Sequence, residues 1–460
     1  MSTVLTPIPT LTEANLDLDC SHALHERALR VMPDGVGAYS QTRAPHPIYL
    51  KRAEGAYLYD VDGNSYIDFM LGAGPAILGH RHPGIQAAVR AALDDGLPNI
   101  AVEERQIELA ELIRTLVPSM QQLRFVPTGT EGVQAVIRLA RRATGRKLIA
   151  KFEGAYHGQA ENVMISVAIP AAERGPVTAP ARVPYHCALP GELAALTLVL
   201  PFNDLAATTA LIEQHAQDLA LVLIEPMLGF AGAIPAERGF LEGLRAVTAK
   251  HGVLLAFDEV ITGFRLALGG GQAHYGITPD LTILGKAVGG GLPLAAFGGR
   301  ADLMEYLSAI RHPHAYVFQS GTFSAFPLSL AAGLVTLKTL AETAAVPYLL
   351  TLGERAREGL RSIVRELGIP ADVTGIGSLF HLHFTAAKIR SARDAEDADH
   401  ARSHALHTAL LAHGCYFYAG RLGFLSTAHS TEDIDRMLAA TREVLAEGAG
   451  ASSKCGNRPS

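Results

Sequence analysis

The chain has 460 residues, of which 48% are apolar and 18% are charged, and its net charge is −6. Such a composition is typical of a globular protein with a large core, and the length favours more than one domain. The charge leaves no basic face for nucleic acid and no polybasic patch for a membrane. The longest apolar stretch, near residues 219–224, is too short to span a bilayer.

The four cysteines are scattered along the chain, without the paired spacing of a disulfide framework or a metal site. The N-terminus carries acids and prolines rather than a basic stretch and an apolar core, so we expect no signal peptide. These features predict a cytoplasmic protein without a bound metal.

A hairpin over residues 57–69 is predicted by the turn signal Asp62-Gly63-Asn64 between two apolar segments. Short apolar runs then alternate with helical patterns, such as 133–142, where the apolar residues share one face. This alternation predicts an α/β fold with a mostly parallel sheet covered on both sides. The runs predicted to be buried strands are 123–126, 148–152, 221–224, 253–257 and 281–284.

The two ends of the chain have a different pattern from the middle. From Leu330 onward, helical patterns alternate with short strands, and from Glu447 the residues are small and polar. We therefore predict a smaller domain built from both ends and a disordered tail. The predicted divisions are 1–75 and 326–446 for the small domain, 76–325 for the large domain and 447–460 for the tail.

Lys286 stands where the apolar run 281–284 ends and the glycines 289–291 begin. A lysine at the mouth of a buried strand suits a Schiff base with an aldehyde, although a solvated lysine is the simpler interpretation. Asp258 follows the run 253–257, where an unpaired acid is costly to bury. The pair is what pyridoxal phosphate requires, because the acid keeps the pyridine nitrogen protonated while the lysine holds the aldehyde.

Three further segments follow predicted strands and converge with these two if the sheet is parallel. Residues 128–130 (Thr-Gly-Thr) could seat a phosphate at a helix N-terminus or serve only as a helix cap. Tyr156 could stack on a flat ring or pack in the core. Glu225 could orient a cofactor or form an ion pair that holds its loop.

Motifs in this order resemble a class III (ω-type) aminotransferase of pyridoxal-phosphate fold type I, most closely the glutamate-1-semialdehyde aminomutase subfamily. The resemblance covers residues 32–445. It rests on residues 55–63 (GAYLYDVDG), 78–83 (LGHRHP), 129–131 (GTE), 153–158 (EGAYHG), 257–265 (FDEVITGFR), 284–286 (LGK) and 321–324 (GTFS).

The resemblance implies a role for each residue near the cofactor. Lys286 would hold pyridoxal 5'-phosphate covalently, and Asp258 would pair with the pyridine nitrogen. Tyr156 would stack on one ring face, and Val260 would pack on the other. The residues implied around the phosphate and the ring hydroxyl are Gly129, Thr130, Glu225 and, from a neighbouring subunit, Gly321 and Thr322. That contact between subunits implies a homodimer with active sites at its interface.

Departures from the aminomutase pattern concern the substrate. Arg421 stands where the aminomutase has a glutamate, and a nearby Gly-Arg element grips a carboxylate in related transaminases acting on β-amino acids or D-arylglycines. Ala73 replaces a tryptophan, and Phe326 replaces an asparagine. Arg43 either corresponds to the family's N-terminal substrate arginine or is a surface residue. Arg421 either binds a carboxylate or pairs with a nearby acid and shapes its loop.

The resemblance implies amino transfer between a small-molecule amine or amino-acid donor and a carbonyl acceptor, with Lys286 and Asp258 as catalytic residues. An intramolecular amine shift of the aminomutase kind is the first alternative. Racemisation or decarboxylation would use the same cofactor. A sensor that binds ligand without catalysis is disfavoured, because a retired site need not keep both Lys286 and Asp258.

Overall fold

The computed structural model describes residues 16–186 and 188–455, with 448–455 as backbone alone. The helices, α1–α14 in chain order, are Asp19–Ala28, Pro83–Asp94, Glu104–Leu116, Gly129–Thr144, Gly191–Ala195, Leu205–His215, Arg238–Lys250, Gly270–Tyr275, Ala301–Met304, Pro327–Glu342, Ala345–Glu366, Ala392–Glu396, His400–Ala412 and Thr431–Cys455.

The strands, β1–β16 in chain order, are Leu50–Glu54, Tyr57–Asp60, Ser65–Asp68, Gln122–Val126, Leu148–Phe152, Thr197–Leu200, Leu219–Ile224, Met227–Leu228, Ile234–Pro235, Leu254–Glu259, Leu281–Leu284, Ala295–Gly299, Asp372–Thr374, Leu379–His383, Cys415–Tyr416 and Gly423–Phe424.

The largest sheet has seven strands in the order β4-β12-β11-β10-β7-β5-β6. Only β12 runs against its neighbours, so the predicted mostly parallel sheet is confirmed. The five predicted strands are all present, two of them with unchanged bounds, and the sheet adds β6 and β12, which the sequence did not predict. Apolar side chains fill both faces, since β7 is buried along its whole length.

The predicted hairpin is also present, as β2 and β3 pair in antiparallel register with Tyr57 opposite Ile67. In the same four-stranded sheet, β3 pairs in parallel with β15, where Cys415 lies opposite Ile67. Segments more than 300 residues apart in the numbering thus share one sheet, as expected for a unit built from both ends. The domain boundaries themselves stay a prediction.

The helices bear on two local expectations from the sequence and confirm the first of them. The predicted helix 133–142 lies inside α4, and its apolar face is buried. The segment predicted to be disordered begins inside α14, which continues to Cys455, while 456–460 lie outside the described residues. Among the described helices, none is by itself long and apolar enough to cross a membrane; only α10 and α11 taken together, bent by 79°, pass that test of length and composition.

Candidate active site

The carboxyl ends of β10 and β11 bring Asp258 and Lys286 to one edge of the large sheet. The two strands are parallel, with Asp258 opposite Ile283, and Lys286 follows β11 by two residues. The Lys286 backbone is left-handed, at φ 47°, a conformation that costs a lysine about 1 kcal/mol or more and persists where surrounding structure imposes it. Burial lowers the pKa of the Lys286 ammonium to about 8, although Glu225 and Asp258 oppose that shift. Lys286 is therefore not an ordinary solvated lysine.

Asp258 is held by a histidine that the sequence analysis quoted but did not assign. The Asp258 carboxylate lies 2.7 Å from His157 Nδ1 and accepts a hydrogen bond of 3.1 Å from the Val260 N–H. His157 is buried, and its Nε2 has no hydrogen-bond partner among the described residues. Burial lowers the pKa of His157. A neutral imidazole donating from Nδ1 holds the Asp258 carboxylate in place.

Glu225 follows β7 and forms backbone hydrogen bonds rather than an ion pair. Its two oxygens accept from the Tyr156 N–H at 2.9 Å and from the Gly229 N–H at 3.0 Å. Among the described residues, no cation lies within 4 Å of the carboxylate. Burial and the nearby Asp258 charge raise the pKa of Glu225 to about 8. Glu225 therefore anchors the Tyr156 segment beside Asp258.

The predicted phosphate seat lies at the start of α4. Thr128 is the N-cap and accepts a hydrogen bond of 3.3 Å from the Glu131 N–H through its side chain. Thr130 Oγ1 accepts a 3.2 Å hydrogen bond from the Gln159 N–H, which joins this loop to the Tyr156 segment. The first N–H groups of a helix have no acceptor within it and attract anions. The cap interpretation is thus correct for Thr128, and it leaves the Gly129 and Thr130 N–H groups available.

Val260 packs between the phosphate seat and the lysine. A Cβ atom at Gly129 would lie 2.8 Å from Val260 Cγ2, and one at Gly285 would lie 3.1 Å from Val260 Cγ1. A larger residue at Gly129 would force Val260 out of place, since real Cβ atoms do not approach so closely. The valine side chain is therefore placed beside both groups that would hold the cofactor.

Tyr156, Phe230 and Arg421 form a stack at the other end of the site. The Tyr156 and Phe230 rings lie 5.4 Å apart at an interplanar angle of 23°. The Arg421 guanidinium lies 3.7 Å from the centroid of the Phe230 ring and donates a 2.8 Å hydrogen bond to the Phe230 carbonyl. The structure therefore connects Arg421, through the Phe230 ring, to the predicted cofactor-stacking residue Tyr156. Phe230 gave no signal in the sequence, because an isolated aromatic before a glycine-containing turn is most often a packing residue.

Arg421 has no acidic partner in the part of the chain that the structure describes. Among the described side chains, no carboxylate oxygen lies within 4 Å of its guanidinium nitrogens. The alternative in which Arg421 pairs with an acid is therefore not what the structure has. A guanidinium held flat on an aromatic ring keeps N–H groups free for a planar anion.

The other two predicted substrate residues lie in different surroundings. Ala73 is in a tight turn with left-handed backbone, at φ 66°. The Arg43 guanidinium lies 5.5 Å from the Tyr416 ring, and its Nη2 is buried without a hydrogen-bond partner. Burial lowers the pKa of Arg43. Arg43 is thus not a surface arginine, and its recorded contacts are with the sheet that joins the chain ends rather than with Lys286 or Arg421.

Gly321 and Thr322 lie on the surface of the single chain. A Cβ atom at Gly321 would lie 3.9 Å from Glu131 Oε2, so this loop passes near the start of α4. Neither residue makes a recorded hydrogen bond to Gly129 or Thr130 among the described residues. Their predicted contact with a phosphate in a neighbouring subunit stays a prediction.

The assembled residues fit pyridoxal 5'-phosphate. An anionic carboxylate, a lysine with a lowered pKa, a helix N-terminus and an apolar side chain lie together at one sheet edge. Each matches one part of that cofactor: the pyridine nitrogen, the aldehyde, the phosphate and a ring face. The unpartnered arginine beside this set matches a carboxylate on a substrate.

Comparison with known proteins agrees with this assignment. Residues 38–420 match the family model described as aminotransferase class-III. The chain is 45% identical to a glutamate-1-semialdehyde 2,1-aminomutase of Sorangium cellulosum (strain So ce56) over 433 residues, covering 93% of this chain and 96% of the relative.

Two similar solved structures are transaminases. An ω-transaminase from Sphaerobacter thermophilus has a TM-score of 0.88 at 38% identity, covering 93% of this chain and 97% of the other. A β-phenylalanine aminotransferase from Variovorax paradoxus has a TM-score of 0.84 at 35% identity, covering 94% of both chains.

Proposed function

Because the chain belongs to the class III aminotransferase family of pyridoxal-phosphate-dependent enzymes, we propose that it transfers an amino group between separate molecules. The donor is an amine or amino acid that carries a carboxylate, and the acceptor is a keto acid or an aldehyde. The observation that carries this choice is Arg421, which lies on the Tyr156–Phe230 stack without an acidic partner.

The side chains of the site divide the chemistry between them. Pyridoxal phosphate supplies the aldehyde that takes up the amine and a ring that accepts electrons. Lys286 holds and moves the proton at the carbon bearing the amine, and its lowered pKa leaves more of the amine free to accept that proton. Asp258 provides the negative charge for the pyridine nitrogen, and His157 orients it. Glu225 fixes the backbone of Tyr156, so that the aromatic ring keeps its angle.

An intramolecular amine shift is the second candidate, favoured by the identity of 45% to a relative named as an aminomutase. It would use Lys286 and Asp258 in the same way. The substitutions at the substrate end, Arg421 and Ala73, are the reason to prefer transfer. An arginine and a small side chain suit a bulkier acid than glutamate-1-semialdehyde.

The proposal is tested by replacing the arginine and measuring both kinetic constants. Arg421→Ala is expected to raise KM for the carboxylate substrate by roughly 10- to 100-fold, because a charge-assisted hydrogen bond contributes about 1.5–3 kcal/mol. We expect kcat to change less, since the carboxylate is bound equally before and during the reaction. The KM of Arg421→Lys should lie between those of the unchanged protein and Arg421→Ala, because a lysine keeps the charge but cannot form the bidentate hydrogen bonds of a guanidinium.

Arg390 offers a matched control. It is exposed and pairs with Glu237, away from the predicted site residues. Arg390→Ala should leave KM and kcat unchanged. If Arg421→Ala also leaves KM for carboxylate substrates unchanged, the arginine does not bind the substrate and the choice of substrate class is wrong.

A homodimer with active sites at its interface is part of the same proposal. Large apolar side chains are exposed along a groove that Gly321 also lines, and on either side of Gly321 in the sequence. Exposed apolar side chains in this number mark surfaces that bind another protein. They are Ile100, Val102, Ile107, Phe318 and Phe323. A cytoplasmic location stays a prediction.

A further inference from the structure

Arg265 joins three distant parts of the chain beneath the site. Its guanidinium donates hydrogen bonds of 2.7 Å to the Gly74 carbonyl, 2.8 Å to the Leu425 carbonyl and 2.8 Å to Ser378 Oγ. The side chain is 1% exposed, the largest side chain that is fully buried among the described residues. Arg265 is the last residue of the motif 257–265, which also contains Asp258.

This buried cation lacks a counter-ion in the part of the chain that the structure describes. Among the described residues, no carboxylate lies within 4 Å of its nitrogens, and all of its acceptors are neutral oxygens. Burial lowers the pKa of the Arg265 guanidinium to about 10. A buried charge without a partner is costly, so its retention in a packed core needs a reason beyond packing.

The Gly74 carbonyl belongs to a strained turn that carries Ala73. Four successive residues are left-handed, with φ of 48°, 63°, 66° and 105° from Leu71 to Gly74. The Asp68 carboxylate accepts from the Leu71 N–H at one end of the turn, and Arg265 binds the carbonyl at the other. Because left-handed backbone is unfavourable for leucine and alanine, these contacts at both ends stabilise the turn.

The turn and the arginine meet Lys286 through Phe424. A Cβ atom at Gly74 would lie 2.7 Å from Phe424 Cε1, so the turn lies directly on this ring. The Arg265 guanidinium is 5.5 Å and the Lys286 Nζ 5.8 Å from the centroid of the same ring. Leu425, whose carbonyl binds Arg265, is the next residue. A substitution at Arg265 should therefore affect both the turn that carries Ala73 and the surroundings of Lys286.

We propose that Arg265 is a positioning residue of the active site, which fixes the turn carrying Ala73 and the Phe424 ring against Lys286 and brings an uncompensated positive charge near the lysine nitrogen. The geometry agrees with the electrostatics, because Arg265 contributes to the lowered pKa of Lys286 while Glu225 and Asp258 act against it. The inference requires that Lys286 binds the cofactor, but it does not depend on which amine is transferred.

The test uses Arg265→Met and Arg265→Lys in the holoenzyme, with two measurements on each. Titration of the cofactor absorbance with pH reports protonation at the Lys286 nitrogen. KM and kcat report whether the turn that carries Ala73 still binds the substrate correctly. In Arg265→Met the absorbance midpoint should rise by about one unit, as expected for losing one charge within ~10 Å at an effective dielectric constant near 20. In Arg265→Lys the absorbance midpoint should be unchanged, because the positive charge is kept. KM should rise several-fold, because a lysine cannot donate hydrogen bonds to the turn with the geometry of a guanidinium.

Arg357 is the matched control. It is also buried and donates to two backbone carbonyls, those of Gly377 and Leu379, but it pairs with Glu354. Arg357→Met should lower the melting temperature without moving the absorbance midpoint. If Arg265→Met behaves in the same way as Arg357→Met, Arg265 is only structural and the proposal is overturned.

If Arg265→Met does not fold, two other variants, Arg265→Lys and Ser378→Ala, still test the proposal. Arg265→Lys with wild-type KM would overturn the role in holding the turn. Ser378→Ala removes one of the three hydrogen bonds and keeps the charge. It should raise KM modestly at an unchanged midpoint, and a shifted midpoint in this variant would contradict the assignment of the shift to the Arg265 charge. Wild-type behaviour of Arg421→Ala would refute the proposed substrate class and leave this inference untouched.

Discussion

The cofactor end and the substrate end of this site are built in different ways. Asp258 lies near the end of β10, and Glu225 and Lys286 follow β7 and β11, so the parallel pairing of these three strands brings them together. Arg421 and Ala73 come from opposite ends of the chain and meet the site through contacts with Phe230 and Phe424. One end depends on backbone hydrogen bonds, and the other on packing.

This difference explains what variation each end can tolerate. A strand end is fixed by its neighbours, so a replaced side chain leaves the backbone where it was. A wall of packed side chains shifts when one member changes. We therefore expect substitutions at the cofactor end to remove chemistry, and those at the substrate end to change affinity and selectivity.

The largest effect is expected at Lys286. Lys286→Ala should abolish turnover and the absorbance of the lysine-bound cofactor, because no other amine takes that position. Borohydride reduction followed by peptide mapping should label Lys286. Lys151 is the sharpest control, since it is buried near Glu225 and burial lowers its pKa to about 7. Its amine donates to the Ala155 carbonyl at 2.7 Å, so label found on Lys151 would mean that the lysine was wrongly assigned.

The second effect is expected at Asp258. Asp258→Asn keeps the shape and loses the charge, so turnover should fall on the order of 10⁴-fold while part of the cofactor remains bound. His157→Gln should cost less, because it weakens the orientation of the carboxylate but leaves its charge. Steady-state rates and cofactor absorbance measure both. Near-normal turnover of Asp258→Asn would remove Asp258 from its role.

The third effect concerns the subunit interface, where neither end of the site is complete if the proposed dimer is correct. Lys286→Ala and Thr322→Ala subunits, each impaired alone, should regain part of the activity when mixed and allowed to exchange. One site of each mixed dimer would carry both substitutions and the other neither. The amount of cofactor retained by each variant is measured in parallel. If Thr322→Ala retains as much cofactor as the unchanged protein, the predicted contact between subunits is wrong.

The smallest effect is a pH dependence of stability that comes from two buried histidines. Burial lowers the pKa of both His383 and His429 to about 4. The folded state therefore binds fewer protons than the unfolded state, so stability is full above pH 6.5 and is lost as the pH falls towards 4. Each histidine contributes at most about 3 kcal/mol to this loss. Urea midpoints measured between pH 7 and 4 should fall less steeply in His429→Gln, and an unchanged slope would exclude His429.

The sequence predicted the cofactor end better than the substrate end for a physical reason. Strands such as 148–152 and 281–284 are continuous apolar runs, and a polar residue directly after such a run is visible without knowing the fold. The sequence did not predict β12, Ala295–Gly299, because four of its five residues are alanine or glycine. These small residues permit close packing: a Cβ atom at Gly299 would lie 2.2 Å from the Asp280 carbonyl oxygen. No short-range pattern marks such a strand.

The missed site residues follow the same rule. His157 stood in a quoted motif one residue after Tyr156, and an ionisable residue so close to a strand end was a signal that could have been used. Arg265 likewise belongs to a quoted motif, 257–265. Its burial follows from contacts with Gly74 and Leu425, which are distant in the sequence, so no local pattern reveals it. Phe230 had no signal at all, because its role depends on Arg421, which lies far along the chain.

The central claim, amino transfer between separate molecules, is tested most directly by a single half-reaction. The holoenzyme is mixed with a carboxylate-bearing amine in the absence of any acceptor, and cofactor absorbance and carbonyl product are followed together. Transfer predicts one equivalent of product per site, loss of the absorbance, and its return only when a keto acid or aldehyde is added. Efficient conversion of glutamate-1-semialdehyde to 5-aminolevulinate over many turnovers without an acceptor would contradict the account and establish the intramolecular shift instead.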